Sequence, residues 1–365
     1  MSDPNVSRRD FLGKSALLVG AAGVAGKAVA AEPPKQPPPE KILNFNKDME
    51  YRRLGRTDLW ISAVCLGGHW KRINEAIGGG FQGGNWLGID MNFEPFHKNR
   101  YDTVTRMIEK GLNYIDSCTR PECLTYGRAL KGRRDKMYLG FSWYEEEMRN
   151  PKFRTEETLL GTLEKAMKAC NLEYVDLWRI VMNEQSSKHT KAEIEEMIKA
   201  LDKAKQQGKA RFTGFSSHDR PHIKTMIETY PKTIDVVVTP YTAKTKEMPK
   251  DSVFEAIKQH DVGVFGIKPF SSGALFKGSG LPNDPNYEAD CKIARLAIRN
   301  ILANPLITAP IPGLICPEQV DNMAAAVKER RELDTAELKV LDKAYADSWS
   351  RLPEHYEWLK DFEQV

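Results

Sequence analysis

The chain is predicted to be an α/β protein, a single-domain (β/α)8 TIM barrel preceded by an N-terminal β-hairpin. Three observations predict it. From Tyr51 onward, short apolar runs alternate with amphipathic stretches, the pattern of parallel strands joined by helices. Eight such strand and helix units follow one another. The length of 365 residues exceeds an ordinary single core, yet barrels of this design reach it as one domain.

The elements follow in order. A hairpin is expected at 50–62 and a first strand at Ala63 to Gly67. The next strands are Asn113 to Asp116, Met137 to Phe141, Val175 to Val181 and Arg211 to Phe215. The last three are Val236 to Val238, Gly263 to Ile267 and Ile307 to Ile311. Leu159, Leu163, Ala166, Met167 and Cys170 recur at helical spacing, which predicts a helix with one buried stripe. Helices at about 190–206, 219–229, 250–260, 290–303 and 317–330 fill the later gaps. A long loop, His69 to Asn99, interrupts the rhythm after the first strand. Its aromatics Phe81, Trp86, Phe93 and Phe96 predict a folded flap over the barrel mouth, because long loops in compact domains tend to be functional.

Hydrophobic residues make up 41% and charged residues 28%, ordinary for a globular enzyme and enough for a large core. The net charge of +4 is partly due to Arg8, Arg9, Lys14 and Lys27 near the N-terminus. No clustered basic stripe points to nucleic acid. Residues 1–30 have the order of a twin-arginine export signal: Ser7-Arg-Arg-Asp-Phe-Leu12, an uncharged run from Ser15 to Gly26, then Ala28-Val-Ala30. The run is too short for a membrane span, so no stable anchor is expected. The expectations are a periplasmic or extracytoplasmic protein and the twin-arginine translocase as a partner during export. Residues 31–49, rich in proline, read as an extended linker that need not fold on the domain. The barrel is assigned to 50–348 and a C-terminal extension to 349–365.

The six cysteines show neither a Cys-x-x-Cys pair nor zinc spacing, so no metal site is expected. Cys118 and Cys123, five apart, are a candidate disulfide pair. At barrel mouths, function gathers on the loops after the strands. The polar groups expected there are His69, Lys71, Arg120, Arg179, Asn183, Glu184, His218, Asp219, Tyr241 and Lys268. His69, Asp116, Arg120 and Lys268 together suit an anionic or sugar-like ligand.

Several motifs in a fixed order carry a family resemblance. They are Tyr51-Arg-Arg-Leu-Gly-Arg-Thr-Asp58, Asn113-Tyr-Ile-Asp116, Gly127-Arg-Ala-Leu-Lys131, Tyr174-Val-Asp-Leu177, Gly214-Phe-Ser-Ser217, Lys268-Pro-Phe-Ser-Ser-Gly-Ala-Leu275 and Ile311-Pro-Gly313. From about residue 50 to 345 the chain resembles the aldo-keto reductase family. The resemblance implies hydride transfer between a nicotinamide cofactor and a carbonyl or alcohol. A Tyr donates the proton, a Lys and an Asp tune it, and a His orients substrate. Of these four only the Asp is matched, by Asp116. The Tyr position falls in a loop about four residues shorter than the family's, with Pro121 five residues after Asp116; the Lys falls on Ser142 and the His on Val181.

The candidate catalytic residues are therefore Asp116, Tyr126 as the nearest phenol, and His69. Each has a structural alternative: Asp116 as a cap, Tyr126 as core, His69 as a hydrogen-bonding residue. The resemblance implies cofactor contacts at Ser216, Ser217, Lys268, Phe270, Ser271, Gly273, Leu275, Gly313, Gln319 and Asn322. Val238 and Ile267 replace polar or aromatic cofactor contacts, and Leu314 to Cys316 carry no charge for a 2'-phosphate. Both NADP and NAD stay open, as do two functions. One is an oxidoreductase of a small carbonyl, alcohol or sugar-like substrate with a non-standard catalytic site. The other is a redox-inactive barrel serving as a ligand-binding or partner protein, or as a lyase or isomerase.

Overall fold

Seven parallel strands run side by side in chain order, and an eighth segment closes the ring between the last and the first. The structure, a computed structural model, describes residues 35–79, 90–245 and 252–361. The export leader and the flap aromatics Phe81 and Trp86 lie outside those residues. By contacts the chain divides after Gln36, and everything below concerns the unit from Pro37 onward.

The opening hairpin pairs β1 (Tyr51–Arg53) with β2 (Trp60–Ser62), Tyr51 opposite Ser62. It plugs one end of the barrel. Leu54, Leu59 and Ile61 pack there against the interior residues Tyr114, Leu177, Val236 and Phe265. Arg52 fixes its position by donating to the carbonyls of Leu302, Asn304 and Ile307.

The strands are β3 (Tyr114–Ser117), β4 (Tyr138–Phe141), β5 (Val175–Val181), β6 (Ala210–Ser216), β7 (Val236–Pro240), β8 (Gly263–Ile267) and β9 (Ala309–Ile311). Each matches a strand expected from sequence to within two residues. The expected first strand, Ala63 to Gly67, forms no regular strand but does a strand's work. Leu66 donates to Tyr114 O and accepts from Asp116 N, while Cys65 and Gly67 donate to the carbonyls of Pro310 and Pro312. Both ring edges are thereby satisfied.

Helices α2 (Glu94–Lys110), α3 (Arg120–Ala129), α4 (Glu156–Ala169), α5 (Lys191–Gln206), α6 (Arg220–Thr229), α7 (Val253–His260), α8 (Tyr287–Leu302) and α9 (Pro317–Lys328) surround the ring; a short α1 (Ile73–Ile77) precedes them. Capping boxes start three of them: Thr119 with Glu122, Thr155 with Thr158, and Thr190 with Glu193. A further helix, α10 (Thr335–Trp349), docks on α8 through Leu341, Ala344 and Tyr345. A final short helix, α11 (Trp358–Asp361), ends the described chain.

Three expectations need correction. The loop predicted to reach Asn99 ends earlier, because Pro95 suits the first turn of α2 and Phe96 is wholly buried against Trp70. Phe96 therefore belongs to the core, not to a flap. The tract before the hairpin is not all linker, since Ile42 and Met49 are buried and Asn44 donates to the carbonyls of Ile108 and Leu112. Cys118 and Cys123 are free thiols. Cys118 faces His69, whereas Cys123 is buried and donates to Ser142 O, so the two sulfurs serve different surroundings.

Candidate functional site

At the barrel mouth, after the carboxyl ends of the strands, lies a cleft, open to solvent, that reaches outward to α8 and α9. Its inner wall holds Asp116, Arg179, Val181, Ser216 and Val238, and its outer reach holds Tyr287, Asp290, Gln319 and Asn322.

Asp116 points inward because side chains alternate along β3. Arg179, inward on β5, meets it with both forks: Nε to Oδ1 at 2.8 Å, and Nη2 to Oδ2. Tyr114 donates to the same carboxylate at 3.3 Å. Burial alone would discourage the Arg179 charge, but Asp116 more than restores it. The candidate catalytic Asp is thus one half of a buried ion pair.

Ser142 and Val181 are held by one buried carboxylate. Glu147 accepts from Ser142 Oγ and Val181 N through Oε2, and from Trp143 N and Trp178 Nε1 through Oε1. Burial raises its pKa and these four donors oppose the rise. No sequence signal marked Glu147, whose donors meet only in the folded barrel.

Tyr126 requires correction. It is fully buried, accepts from Trp70 Nε1 and donates to Gly67 O, and burial pushes its phenol up. It lies in the core, outside the cleft lining. His69 does line the cleft, and its Nδ1 lies 2.8 Å from Glu122 Oε1 and 3.9 Å from Cys118 Sγ. Burial disfavours the Glu122 charge, yet the His69 ring and the Cys118 amide hold its carboxyl below the ordinary value.

The expected cofactor residues separate into two groups. Ser216, Lys268, Phe270, Gly273, Gly313, Gln319 and Asn322 line the cleft. Ser217 does not, because its hydroxyl donates to Glu184 O and Ser186 Oγ. Leu275 is core, packed with Leu296 and Tyr345. Ser271 is fully buried, and its hydroxyl has no hydrogen-bond partner among the described residues. Gln319 accepts from Ile315 N and donates to Gly280 O; Asn322 accepts from Arg295 and donates to Cys291 O. Both amides brace the groove they line.

Cations clasp the cleft. Lys71 donates to Ser272 Oγ and, at 2.9 Å, to Tyr356 Oη. Arg72 donates to the carbonyls of Gly273 and Gly278. Lys268 lies under the rings of Tyr356 and Trp358, and Arg149 also lines the cleft. Burial lowers the pKa of Lys71 to about 8 and also lowers that of Lys268. Arg72 and Tyr356 escaped sequence reasoning; Arg72 follows Lys71 in a loop read as flap, and Tyr356 lies in the C-terminal extension. Arg120, expected at the mouth, stacks over Trp143 instead.

The residues fit a dinucleotide at its phosphates, where Lys71, Arg72 and Lys268 gather at a turn with left-handed backbone at Ser271, Ser272 and Gly273, of which Ser272 and Gly273 line the cleft. The helices α8 and α9 add Asp290 and no basic side chain to the lining.

Comparison with known proteins agrees with this architecture. The aldo/keto reductase family profile matches residues 83–346. L-galactose dehydrogenase of Arabidopsis thaliana is 26% identical over 193 residues, which are 48% of this chain and 60% of that protein. The chain therefore matches less than two thirds of that relative's length. The holo form of an aldo-keto reductase from Bacillus halodurans superposes with a TM-score of 0.57 at 20% identity, over 81% of this chain and 96% of that one. An aldo/keto reductase from Klebsiella pneumoniae in complex with NADP and acetate gives 0.59 at 18%, over 81% and 95%. These two similarities establish the fold.

Proposed function

Because the chain belongs to the aldo/keto reductase family, we propose that it is a nicotinamide-dependent oxidoreductase of small polar carbonyl or alcohol compounds, including sugar-like ones, with a catalytic site not built on the family's Tyr, Lys and His. The observation that carries this reading is the clasp of Lys71 and Arg72 on the loop from Lys268 to Gly280, in one cleft with Lys268 and Asp116. Bound nicotinamide supplies the hydride donor or acceptor. The chain's own residues would do the rest: Lys71, Arg72 and the loop they clasp would hold the phosphates, Ser216 would meet the inner end, and Arg179 with Asp116 forms a polar floor. Arg149 and Lys268 add positive charge where the substrate enters, which favours polar or anionic substrates.

NAD(H) suits the α8 and α9 side better than NADP(H), because Asp290 lies there and Leu314 and Ile315 add buried apolar residues to the lining. The relative from Klebsiella pneumoniae carries NADP, so the cofactor choice is a proposal about this chain's own residues. Titrating the full chain with NADH and NADPH by tryptophan fluorescence tests it. Saturable quenching is expected; no binding of either at millimolar concentration would sink the oxidoreductase reading.

A second reading has its own observation. Gln319 and Asn322 are internally satisfied and Asp116 is neutralised, as in a barrel that binds a ligand without redox chemistry. Cofactor binding without turnover of any aldehyde, ketone or sugar would favour it. For the leader we propose twin-arginine export, which loss of periplasmic protein after replacing Arg8 and Arg9 by Lys would support.

A further inference from the structure

The shortened loop that lacks the family's Tyr does not leave the cleft bare. It delivers Cys118 and, from the first turn of α3, Glu122, and the loop after Gly67 brings His69 opposite them. The three ligand atoms, His69 Nδ1, Cys118 Sγ and a Glu122 oxygen, all lie within 4.8 Å of one another. We infer that these three side chains form a binding site for one divalent cation of zinc type, opening onto the cleft beside Asp116.

The geometry distinguishes this from a nucleophilic triad. In a relay the two ring nitrogens face different partners. In this site the same nitrogen, Nδ1, faces both Glu122 and Cys118, so the three donors converge on one point. Around a tetrahedral zinc, with Zn–N about 2.1 Å and Zn–S about 2.3 Å, such atoms stand about 3.6 Å apart. The Nδ1 to Sγ separation of 3.9 Å already suits that, and the Nδ1 to Oε1 hydrogen bond of 2.8 Å must open modestly.

The supporting groups are in place. Glu122 Oε2 accepts from the amides of Cys118 and Thr119, which orients the carboxylate and leaves Oε1 for the cleft. Gly68 makes room for this, since a Cβ there would lie 2.1 Å from Glu122 Cδ. On binding, Cys118 releases its proton to solvent as the metal–sulfur bond forms, and His69 carries its proton on Nε2.

Three protein ligands and an open position are the pattern of a catalytic zinc. A cation in that place draws electron density from a substrate oxygen, the task the missing phenol performs in the family. That polarising role rests on the oxidoreductase reading; metal binding does not.

The test uses the full chain, stripped with chelator, dialysed and titrated with Co²⁺. One equivalent should bind with a sulfur-to-cobalt charge-transfer band. Cys118→Ser should abolish the band, and His69→Ala, at a partly exposed position, should weaken binding by at least about tenfold. Circular dichroism checks both folds, and His69→Ala carries the test if Cys118→Ser does not fold. A folded full chain without the band at saturating Co²⁺ overturns the site, as does unchanged affinity in His69→Ala. NADH titration of the same samples separates the two readings. NADH binding with no cobalt site leaves the oxidoreductase standing and removes the metal; cobalt binding with no NADH binding supports the site and removes its polarising role.

Discussion

Arg179 and Asp116 are each nearly inaccessible to solvent, so each charge is stable only while the other is present. Removing one partner of a buried pair costs about 3–5 kcal/mol, whereas replacing both with apolar groups of similar size costs far less. Arg179→Met should therefore lower unfolding stability by about that amount, and Arg179→Met with Asp116→Leu should recover much of it in urea denaturation. An equal loss in both variants would mean that packing, not charge, governs the site. Gly140 permits the arrangement, because a Cβ there would lie 2.7 Å from Asp116 Oδ1. Lys71 adds a pH dependence. Its pKa falls from 10.5 unfolded to about 8 folded, so between those values the unfolded chain binds more protons and stability rises with pH. Phosphate binding should do the reverse and weaken as pH passes about 8, because the ammonium charge is lost. Calorimetry of NADH binding at successive pH values checks it, and affinity that rises with pH would exclude Lys71 as a phosphate ligand. At this scale the sequence revealed Asp116 through the motif Asn113-Tyr-Ile-Asp116 that resembles the family's. It hid Glu147 and Arg72, because their partners are carbonyls, amides and hydroxyls far apart in the chain, a kind of contact that leaves no motif.

The barrel helices were legible because their burial is periodic, whereas the strands, buried along nearly their whole length, were legible as short apolar runs between them. Irregular elements have no such period. Ala63 to Gly67 closes the ring through four backbone hydrogen bonds, yet its pairing is too broken to be a strand. The C-terminal extension was invisible as part of the site for the same reason. Arg351 donates to Ala274 O, Tyr356 accepts from Lys71, Trp358 stacks on His218 at 4.6 Å, and Leu359 is fully buried. This strap therefore lies on the same loops that line the cleft. A chain ending at Ser350 should keep its barrel, since the strap contributes no strand or barrel helix. It should release NADH faster, with the rise in dissociation rate read by stopped-flow fluorescence. An unchanged rate would show that the strap is only a cover over Lys268.

Across the whole molecule, the cleft lining gathers Lys71, Arg72, Arg149 and Lys268, and α8 adds the acid Asp290 to it. Arg72 and Asp290 meet at Gly278, whose carbonyl accepts from Arg72 and whose amide donates to Asp290. Asp290 already accepts from the amides of Lys277 and Gly278, so its carboxylate is fixed in place and cannot swing away from an incoming group. A 2'-phosphate brought beside α8 would meet that carboxylate and the buried apolar residues Leu314 and Ile315. The bare 2'-hydroxyl of NAD(H) meets no such opposition. A ligand that binds only the folded state stabilises it by about 2.7 kcal/mol at a hundred times its Kd. In a domain of this size each kcal/mol moves Tm by about 2–4 °C. Saturating NADH should therefore raise Tm by about 5–10 °C, and NADPH at the same concentration by clearly less. Asp290→Ser should narrow the gap between the two without lowering the NADH shift. Equal shifts in the unaltered chain would show that the outer reach does not read the 2'-position, and a larger shift with NADPH would place a cation there that the cleft lining lacks.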